Sequence, residues 1–274
     1  MIWLINHTDP LGVVLHDLIQ EQQQDVVAMT TMAMPRYAAI GQDQGREVLW
    51  WQGNCYPLEA MQLVYCGVLP TQSSGSIPSE KIKDWLYVTN AWQAWLRYGL
   101  ARVPLSLGVL PDTCWIDTWR HIASLASLAP RYGMLAPLYR YVQGASYGDN
   151  YAYLSSCMVD NVDCFSVYKD DSVLAVAIPD GHWLQCAQVG NTCYVIRCEQ
   201  GHWAPYRLSH NQRAAIGRLT RAWGLSVCHY VMRQHKTGEI GLYGASPRLD
   251  AQIVSTYLPL IRHHLQKEYL AQCY

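Results

Sequence analysis

The chain has 274 residues, half of them hydrophobic and only 15% charged, and its formal net charge is −1. This composition excludes an intrinsically disordered chain, because burial of so much apolar surface offsets the entropy that is lost on ordering. The near-neutral charge, with no basic stripe or acidic tail, gives no indication of a nucleic-acid partner or of a charged membrane surface as ligand.

The N-terminal segment predicts a strand, a helix and a second strand. Residues 1–6 are mostly apolar but lack the basic region and cleavage site of a signal peptide. No apolar stretch approaches the roughly 20 residues that cross a bilayer, so we expect a cytoplasmic protein without a membrane span. Asp9 before Pro10 is a typical helix start, and a strand at residues 26–32 then favours a small parallel sheet.

The next segment ends in the best linker candidate of the chain. Residues 46–51 predict a strand, whereas residues 58–65 fit a strand and a helix equally well. Residues 68–78 are rich in Pro, Ser, Gly and Thr, which is typical of a loop. We therefore predict an N-terminal α/β lobe over residues 1–78 and a second region over residues 79–274.

The second region begins with helical patterns and continues with strands. Apolar residues recur at helical spacing over residues 79–99 and 117–128, and residues 135–142 form a strand-like run. Residues 152–207 favour four or five strands in hairpins, separated by turns that contain Gly or Asp.

The C-terminal segment has the most regular pattern. Ser209 would cap a helix that ends before Gly224, a good residue for the position after a helix. Two strands are predicted at residues 225–232 and 240–245, and a closing helix at residues 249–269. The whole chain is therefore expected to be an α/β protein with α+β lobes.

Residues 211–247 carry a more specific signal. A helix ends in Gly224-Leu225, a strand follows, Thr237-Gly238 forms a turn, and a second strand leads to Pro247. This order resembles the C-terminal signature of ATP-grasp enzymes, in which the first strand carries an acidic metal ligand and the second ends in Glu-x-Asn near a proline. The resemblance implies an ATP-grasp-like fold, with a small N-terminal α/β lobe and a hairpin-rich C-terminal part.

The same resemblance implies that the metal ligands are missing. ATP-grasp ligases phosphorylate a carboxylate with ATP and Mg²⁺, and this ion needs hard oxygen ligands. The family's strand Asp falls on Val231. Its Glu and Asn fall on Gly244 and Ser246 if the proline follows directly, or on Leu242 and Gly244 if the ending is longer. Neither register supplies a metal ligand.

The phosphate-binding positions are also altered. The strand that should carry the first phosphate lysine offers Arg140, and arginine also binds phosphate. The loop from Gly144 to Gly148 would cover the phosphates, because glycine lets backbone N–H groups approach them. Lys169 completes this candidate nucleotide-binding set. An ordinary connector for the loop and a solvated hairpin tip for Lys169 are the alternatives.

A second candidate set belongs to a substrate cleft. His229 and Arg233 lie on the strand that should carry the metal-binding Asp, and Ser246 and Arg248 lie where the family approaches its substrate. The neighbouring Asp250 is better placed to cap the closing helix.

Other chemistry has weaker signals. The ten cysteines include no C-x-x-C pair, and the ten histidines include no His-x-x-x-His pair on a helical face, so no metal site is predicted. Ser146 stands in a Gly-x-Ser-x-Gly pattern, but a nucleophile elbow needs a helix after it, and a strand-like segment follows instead.

Two functions fit these observations. The first is a degenerate ATP-grasp-like pseudoenzyme that needs neither ATP nor metal and acts as a binding or partner subunit in a peptide or small-molecule biosynthetic pathway. Its ligand would be a protein, a peptide or a small molecule, and eleven Trp and nineteen Tyr favour a homodimer or a hetero-complex. The alternative is an active ATP-dependent carboxylate–amine ligase of a divergent subfamily, which binds ATP and takes Mg²⁺ ligands from Asp160, Asp163 or Glu199.

Overall fold

A parallel sheet forms the N-terminal part of the protein. Its four strands are β1 (Ile2–Ile5), β2 (Val26–Met29), β6 (Leu63–Cys66) and β7 (Leu105–Gly108), in the order β2-β1-β6-β7. The predicted strand–helix–strand opening and its parallel pairing are confirmed. The computed structural model describes residues 1–29, 38–67, 94, 98, 102–108, 128–136, 139–143, 151–153, 172–177 and 180–273.

Helix α1 (Pro10–Glu21) connects β1 to β2 and begins at the predicted cap. Oδ1 of Asp9 accepts hydrogen bonds from the backbone N–H groups of Leu11 at 3.1 Å and Gly12 at 3.0 Å. The Tyr65 hydroxyl on β6 lies 2.6 Å from each carboxylate oxygen of Asp9. One buried carboxylate therefore satisfies the helix start and ties it to the sheet.

Strand β7 has no counterpart among the predicted elements. It has only four residues and pairs with β6, which is far away in the sequence, so no local hairpin signal announces it. It lies beyond the predicted lobe boundary at residue 78. That boundary stays a prediction, because the proposed linker at residues 68–78 lies outside the described residues.

An antiparallel sheet is inserted between β2 and β6 in the sequence. It consists of β3 (Ala38–Asp43), β4 (Arg46–Trp51) and β5 (Asn54–Pro57). The predicted strand β4 is confirmed with its bounds, and β3 and β5 extend it. The ambiguous segment that follows contains both a short 3₁₀ turn (Leu58–Ala60) and the buried strand β6.

A second antiparallel sheet contains β8 (Tyr139–Gln143), β9 (Tyr151–Tyr153) and β10 (Ser172–Ala177), in the order β8-β10-β9. The strand-like run therefore begins later than residue 135. Leu135 instead forms a bridge with Gly241, and its N–H donates to the carbonyl of Ile240 at 2.8 Å.

The largest sheet has five antiparallel strands in the order β13-β12-β11-β14-β15. Its strands are β11 (Gly181–Val189), β12 (Thr192–Glu199), β13 (His202–Pro205), β14 (Val227–His235) and β15 (Ile240–Ser246). Tight turns join β11 to β12 and β12 to β13, which confirms the hairpins expected from the sequence in this part of the chain.

Three further helices complete the described C-terminal part. They are α2 (His210–Ala222), α3 (Ala251–Thr256) and α4 (Leu258–Glu268). Ser209 caps α2 in a reciprocal capping box with Gln212, as its sequence predicts. The prediction of one closing helix is wrong, because the chain breaks at Tyr257, and α4 starts with Pro259 in its first turn, where proline is favoured.

The buried side chains form three clusters. One lies between the parallel sheet, α1, α3, α4 and one face of the large sheet, another lies under α2 on the opposite face of that sheet, and a third covers the other face of the parallel sheet. Within the described residues, no helix is both long and apolar enough to cross a bilayer.

Candidate functional site

The hairpin of β14 and β15 carries the positions at which the resemblance places the family's metal ligands, Val231 and Gly244 among them. Its turn is closed by the His235 N–H, which donates to the Glu239 carbonyl at 2.9 Å. Gly238 in this turn has φ +86°, a conformation that favours glycine. The predicted Thr-Gly turn is thereby confirmed and sets the pairing of the two strands.

The two faces of this hairpin differ in chemistry. Cys228, Tyr230 and Met232 point into the apolar cluster under α2. Side chains alternate along a strand, so His229, Val231 and Arg233 belong to the opposite face. We call this opposite face of β11, β14 and β15 the ligand face.

The pairing of the strands distinguishes the two registers that the sequence leaves open. Val231 pairs directly with Gly244, and a bulge after Val231 places Leu242 opposite Met232. Leu242 is fully buried in the cluster under α2, so in the register that assigns the family's Glu to Leu242 this Glu would face away from Val231. The other register assigns the expected Glu and Asn to Gly244 and Ser246, which are two residues apart and share the ligand face with Val231.

These side chains do not fit a Mg²⁺ site. A valine and a glycine offer no oxygen ligand, and a single serine hydroxyl does not replace carboxylates. In the described ranges, no group of three or more His, Cys, Asp or Glu could hold a metal ion. Glu199 is exposed and pairs with Arg197, while Asp160 and Asp163 lie outside those ranges.

Two polar atoms beside Val231 are buried without a hydrogen-bond partner in the part of the chain that the structure describes. One is Nε2 of His229, a residue that is only 3% exposed. The other is Oε1 of Gln185, a residue of β11 that pairs with Val231 on β14. Burial lowers the pKa of His229 to about 4, against a smaller opposing effect of Asp250. The imidazole is therefore neutral at pH 7, and a ligand donor or acceptor would complete the hydrogen bonding of this pair.

An aromatic and cationic cluster forms the open end of the ligand face. The Arg233 guanidinium lies over the Trp183 ring, 4.8 Å from its centre, and the Tyr243 ring meets Trp183 edge-on at 5.3 Å. Burial lowers the pKa of Arg233, and the ion pair of Lys236 with Asp180 (2.7 Å) lies at the same end of β14. Such a surface can bind a carboxylate and stack on a flat or apolar group.

Ser246 and Arg248 lie at the exit from β15. The Ser246 hydroxyl accepts a hydrogen bond from the Arg248 backbone N–H at 3.1 Å. Oδ1 of Asp250 accepts from the N–H of Gln252 at 2.7 Å and caps α3, which confirms its expected capping role. The Ser246 hydroxyl thus organises the turn that presents Arg248.

The structure brings the candidate cleft residues onto one hairpin but leaves the nucleotide set dispersed. Arg140 lies on β8, opposite Ala175, in the separate three-stranded sheet. Gly144, Gly148 and Lys169 lie outside the described residues.

Sequence reasoning did not select Trp183, Gln185 or Tyr243. Trp183 and Gln185 could have been selected from the sequence, because they alternate along β11 with the buried residues Leu184 and Cys186. The position of Tyr243 depends on the bulge, which has no sequence signature here.

The overall arrangement was compared with known proteins. No protein-family model and no curated protein matches the sequence. Among solved structures, a Chryseobacterium gregarium RiPP-associated ATP-grasp ligase in complex with ADP, a leader and a core peptide is 12% identical, with a TM-score of 0.65 over 95% of this chain and 94% of that chain.

Two further structures agree with this likeness. The macrocyclase MdnC from Microcystis aeruginosa MRC, bound with the precursor peptide MdnA, is 12% identical, with a TM-score of 0.67 over 97% of this chain and 98% of that one. The ATP-grasp ligase PsnB, complexed with a minimal precursor, Mg and ADP, is 12% identical, with a TM-score of 0.66 over 99% and 98% of the two chains. At this identity the likeness concerns the fold, and it extends over nearly the whole of each chain. The protein therefore has an ATP-grasp-like fold.

Proposed function

We propose that the protein is a degenerate ATP-grasp-like subunit that binds a peptide in a peptide-biosynthesis pathway and does not use Mg-ATP. The observation that carries this proposal is the pairing of Val231 with Gly244. The two positions pair directly, just before the bulge, and share one face, yet neither offers an oxygen ligand for a cation that must balance phosphate charge.

Peptide is the favoured ligand class for two reasons. Each of the three compared structures contains a peptide or precursor. In this chain, the ligand face combines the Trp183–Arg233 stack with the unpaired polar atoms of His229 and Gln185. Aromatic rings and arginine are enriched where proteins bind peptides and proteins, and an unpaired imidazole nitrogen and amide oxygen suit backbone or side-chain groups. A small-molecule ligand is the alternative occupant.

The alternative function, an active divergent ligase, has one supporting observation. Arg140 lies on β8, which overlaps the segment that the resemblance assigns to the family's first phosphate lysine, and arginine can bind phosphate in a bidentate manner. Its metal ligands would then come from residues such as Asp160 or Asp163.

Calorimetry with ATP separates the two functions. We expect no heat of binding when the purified protein is titrated with ATP in millimolar Mg²⁺. Tight binding that EDTA abolishes would overturn the proposal and support the ligase. The absence of binding at high ATP would exclude the ligase.

The peptide ligand needs a separate test. A displayed peptide library would be selected on the wild-type protein, and the enriched peptides measured on Arg233→Gln and Trp183→Ala. We expect both variants to bind about tenfold more weakly, whereas Arg207→Gln, an exposed arginine outside the ligand face, keeps wild-type affinity. Equal loss in all three, or no enriched peptide, counts against a peptide site on this face.

A further inference from the structure

A cavity with a basic lining lies on the side of the large sheet that faces away from the ligand face. It has a volume of about 440 Å³, lies between helix α2 and the β11–β12 hairpin, and is open to solvent on one side. Its basic lining comes from His210, Arg213, Arg218 and Arg221, and its neutral polar lining from Gln188, Asn191 and Thr192. This volume falls in the range of small-molecule sites.

The helical repeat explains how the cations converge. Residues 213, 217 and 221 are spaced four apart and lie on one stripe of α2. The middle position is Gly217, where an added Cβ would lie 3.9 Å from Nε2 of Gln188 and 4.0 Å from Nη1 of Arg221. The absence of a side chain at Gly217 therefore leaves a recess next to the Gln188 amide and the Arg221 guanidinium.

The charge in this recess is not balanced by the residues that the structure describes. None of Arg213, Arg218 and Arg221 takes part in an ion pair there, and the described lining of the cavity contains no Asp or Glu. Nη1 of Arg221 donates only to the neutral side chain of Asn191, at 3.2 Å. Arg218 and Arg221 are exposed and Arg213 is half-buried, and cations gathered around one cavity create a positive potential that attracts an anion.

Unsatisfied polar atoms are a second, independent sign of a ligand. Nε of Arg213 is buried and has no partner in the described part of the chain. Gln188, only 1% exposed, donates its Nε2 to the Gly190 carbonyl at 2.8 Å, but its Oε1 is likewise unpartnered. A ligand with oxygen acceptors and at least one hydroxyl or acidic proton would satisfy both atoms.

We propose that this cavity binds a small polyanion, a compound carrying phosphate or several carboxylates. Planar guanidinium groups match the oxygen pairs of both chemistries. Arg213 and Arg221 would donate hydrogen bonds to the anion, while Oε1 of Gln188 accepts a hydrogen bond from its hydroxyl or acid group. The site faces away from the ligand face and does not depend on the proposed peptide function.

The experiment uses inorganic phosphate, pyrophosphate and citrate as probes. Each probe is compared with a chloride control at the same ionic strength. Thermal unfolding and calorimetry are measured on the purified full chain. We expect at least one probe to raise the unfolding midpoint in a concentration-dependent manner, because a ligand that binds only the folded protein stabilises it. The phosphate and citrate arms show which chemistry is preferred.

Two kinds of variant test the location. Arg213→Gln and Arg221→Gln should each weaken binding about tenfold or more, whereas Arg131→Gln, an exposed arginine outside the cavity, should not. Gly217→Met blocks the recess without a change of charge and should abolish binding even if an arginine variant folds poorly. No response to any of the three probes, or equal binding by wild type and Gly217→Met, would overturn the proposal.

Discussion

Val231 on β14 and Gly244 on β15 face each other directly, one residue before a bulge that turns Leu242 into the core. Residues opposite each other in an antiparallel pair have Cβ atoms about 4.5–5.5 Å apart. Carboxylates at these two positions would therefore meet, with room for a cation between them. The pairing is therefore compatible with a two-ligand site, while the side chains present are a valine and a glycine.

The first prediction restores the carboxylates. In EDTA, the double variant Val231→Asp with Gly244→Glu should be about 1–3 kcal/mol less stable than wild type, because two like charges repel on a partly buried face. Mg²⁺ at tenfold its Kd should recover about 1 kcal/mol. Urea unfolding with and without Mg²⁺ measures both effects.

The matched control is Val231→Asn with Gly244→Gln. It has nearly the same shape but no charge, so its unfolding should not respond to Mg²⁺. The wild type should not respond either. If the charged and neutral double variants respond equally, the two positions do not meet on one face.

The second prediction concerns acid stability. His229 has a pKa of about 4 in the folded protein, against an ordinary value of 6.5. Below pH 6.5 the unfolded chain binds a proton at this histidine that the folded chain does not bind. The contribution of neutral His229 to the free energy of unfolding is therefore complete above pH 6.5 and is lost as the pH falls to about 4. The loss amounts to about 3 kcal/mol.

The measurement is the free energy of unfolding from pH 7 to pH 4 in urea. His229→Gln should be less steeply destabilised by acid than wild type over this range. His202→Gln, at an exposed histidine, should keep the wild-type slope. A His229→Gln curve parallel to that of wild type would show that the imidazole titrates at its ordinary pKa in the folded state.

The third prediction tests the junction between α1 and the parallel sheet. Asp9→Ala removes a cap worth about 1 kcal/mol and leaves the fully buried Tyr65 hydroxyl without its partner, at a cost of about 1–3 kcal/mol. We expect a total loss of about 2–4 kcal/mol in urea unfolding. Ser209 is an exposed cap and, among the described residues, bonds no buried hydroxyl as Asp9 does. Ser209→Ala should therefore cost only about 1 kcal/mol.

Caps and hairpins could be predicted because their signals are local. In each cap, both partners of the hydrogen bond lie within one turn of the chain. Asp9 accepts from the first residues of α1, and Ser209 accepts from Gln212. The break of the closing helix at Tyr257 had a local signal as well, since Pro259 lacks the N–H that a continuous helix needs. Apolar residues continue at helical spacing through residues 249–269, and this pattern favoured one continuous helix over a break at the proline.

Long-range pairing could not be predicted in the same way. Strand β7 is specified by its contact with β6, and four residues are too few to show a period. The ligand face shows the same limit. Alternation along β14 places His229, Val231 and Arg233 together, but only the bulge decides that Gly244, and not Leu242, faces Val231.

The last prediction compares two glycines inside helices. Helix propensity favours alanine over glycine by about 0.5–1 kcal/mol at both positions. At Gly12 in α1, however, a Cβ would lie 2.5 Å from the backbone carbonyl oxygen of His7 and 2.7 Å from its Cα. Backbone cannot rotate away as a side chain can, so Gly12→Ala should lower the free energy of unfolding by about 1–3 kcal/mol.

At Gly217 in α2, the nearest atoms to an added Cβ are at 3.9 Å and 4.0 Å, which is ordinary van der Waals contact. Gly217→Ala should therefore raise the free energy of unfolding by about 0.5–1 kcal/mol, and urea unfolding of both variants measures the contrast. Opposite signs would show that the approach of α1 to the His7 backbone overrides helix propensity. If both variants are more stable than wild type, propensity alone decides, and α1 does not pack that closely against the His7 backbone.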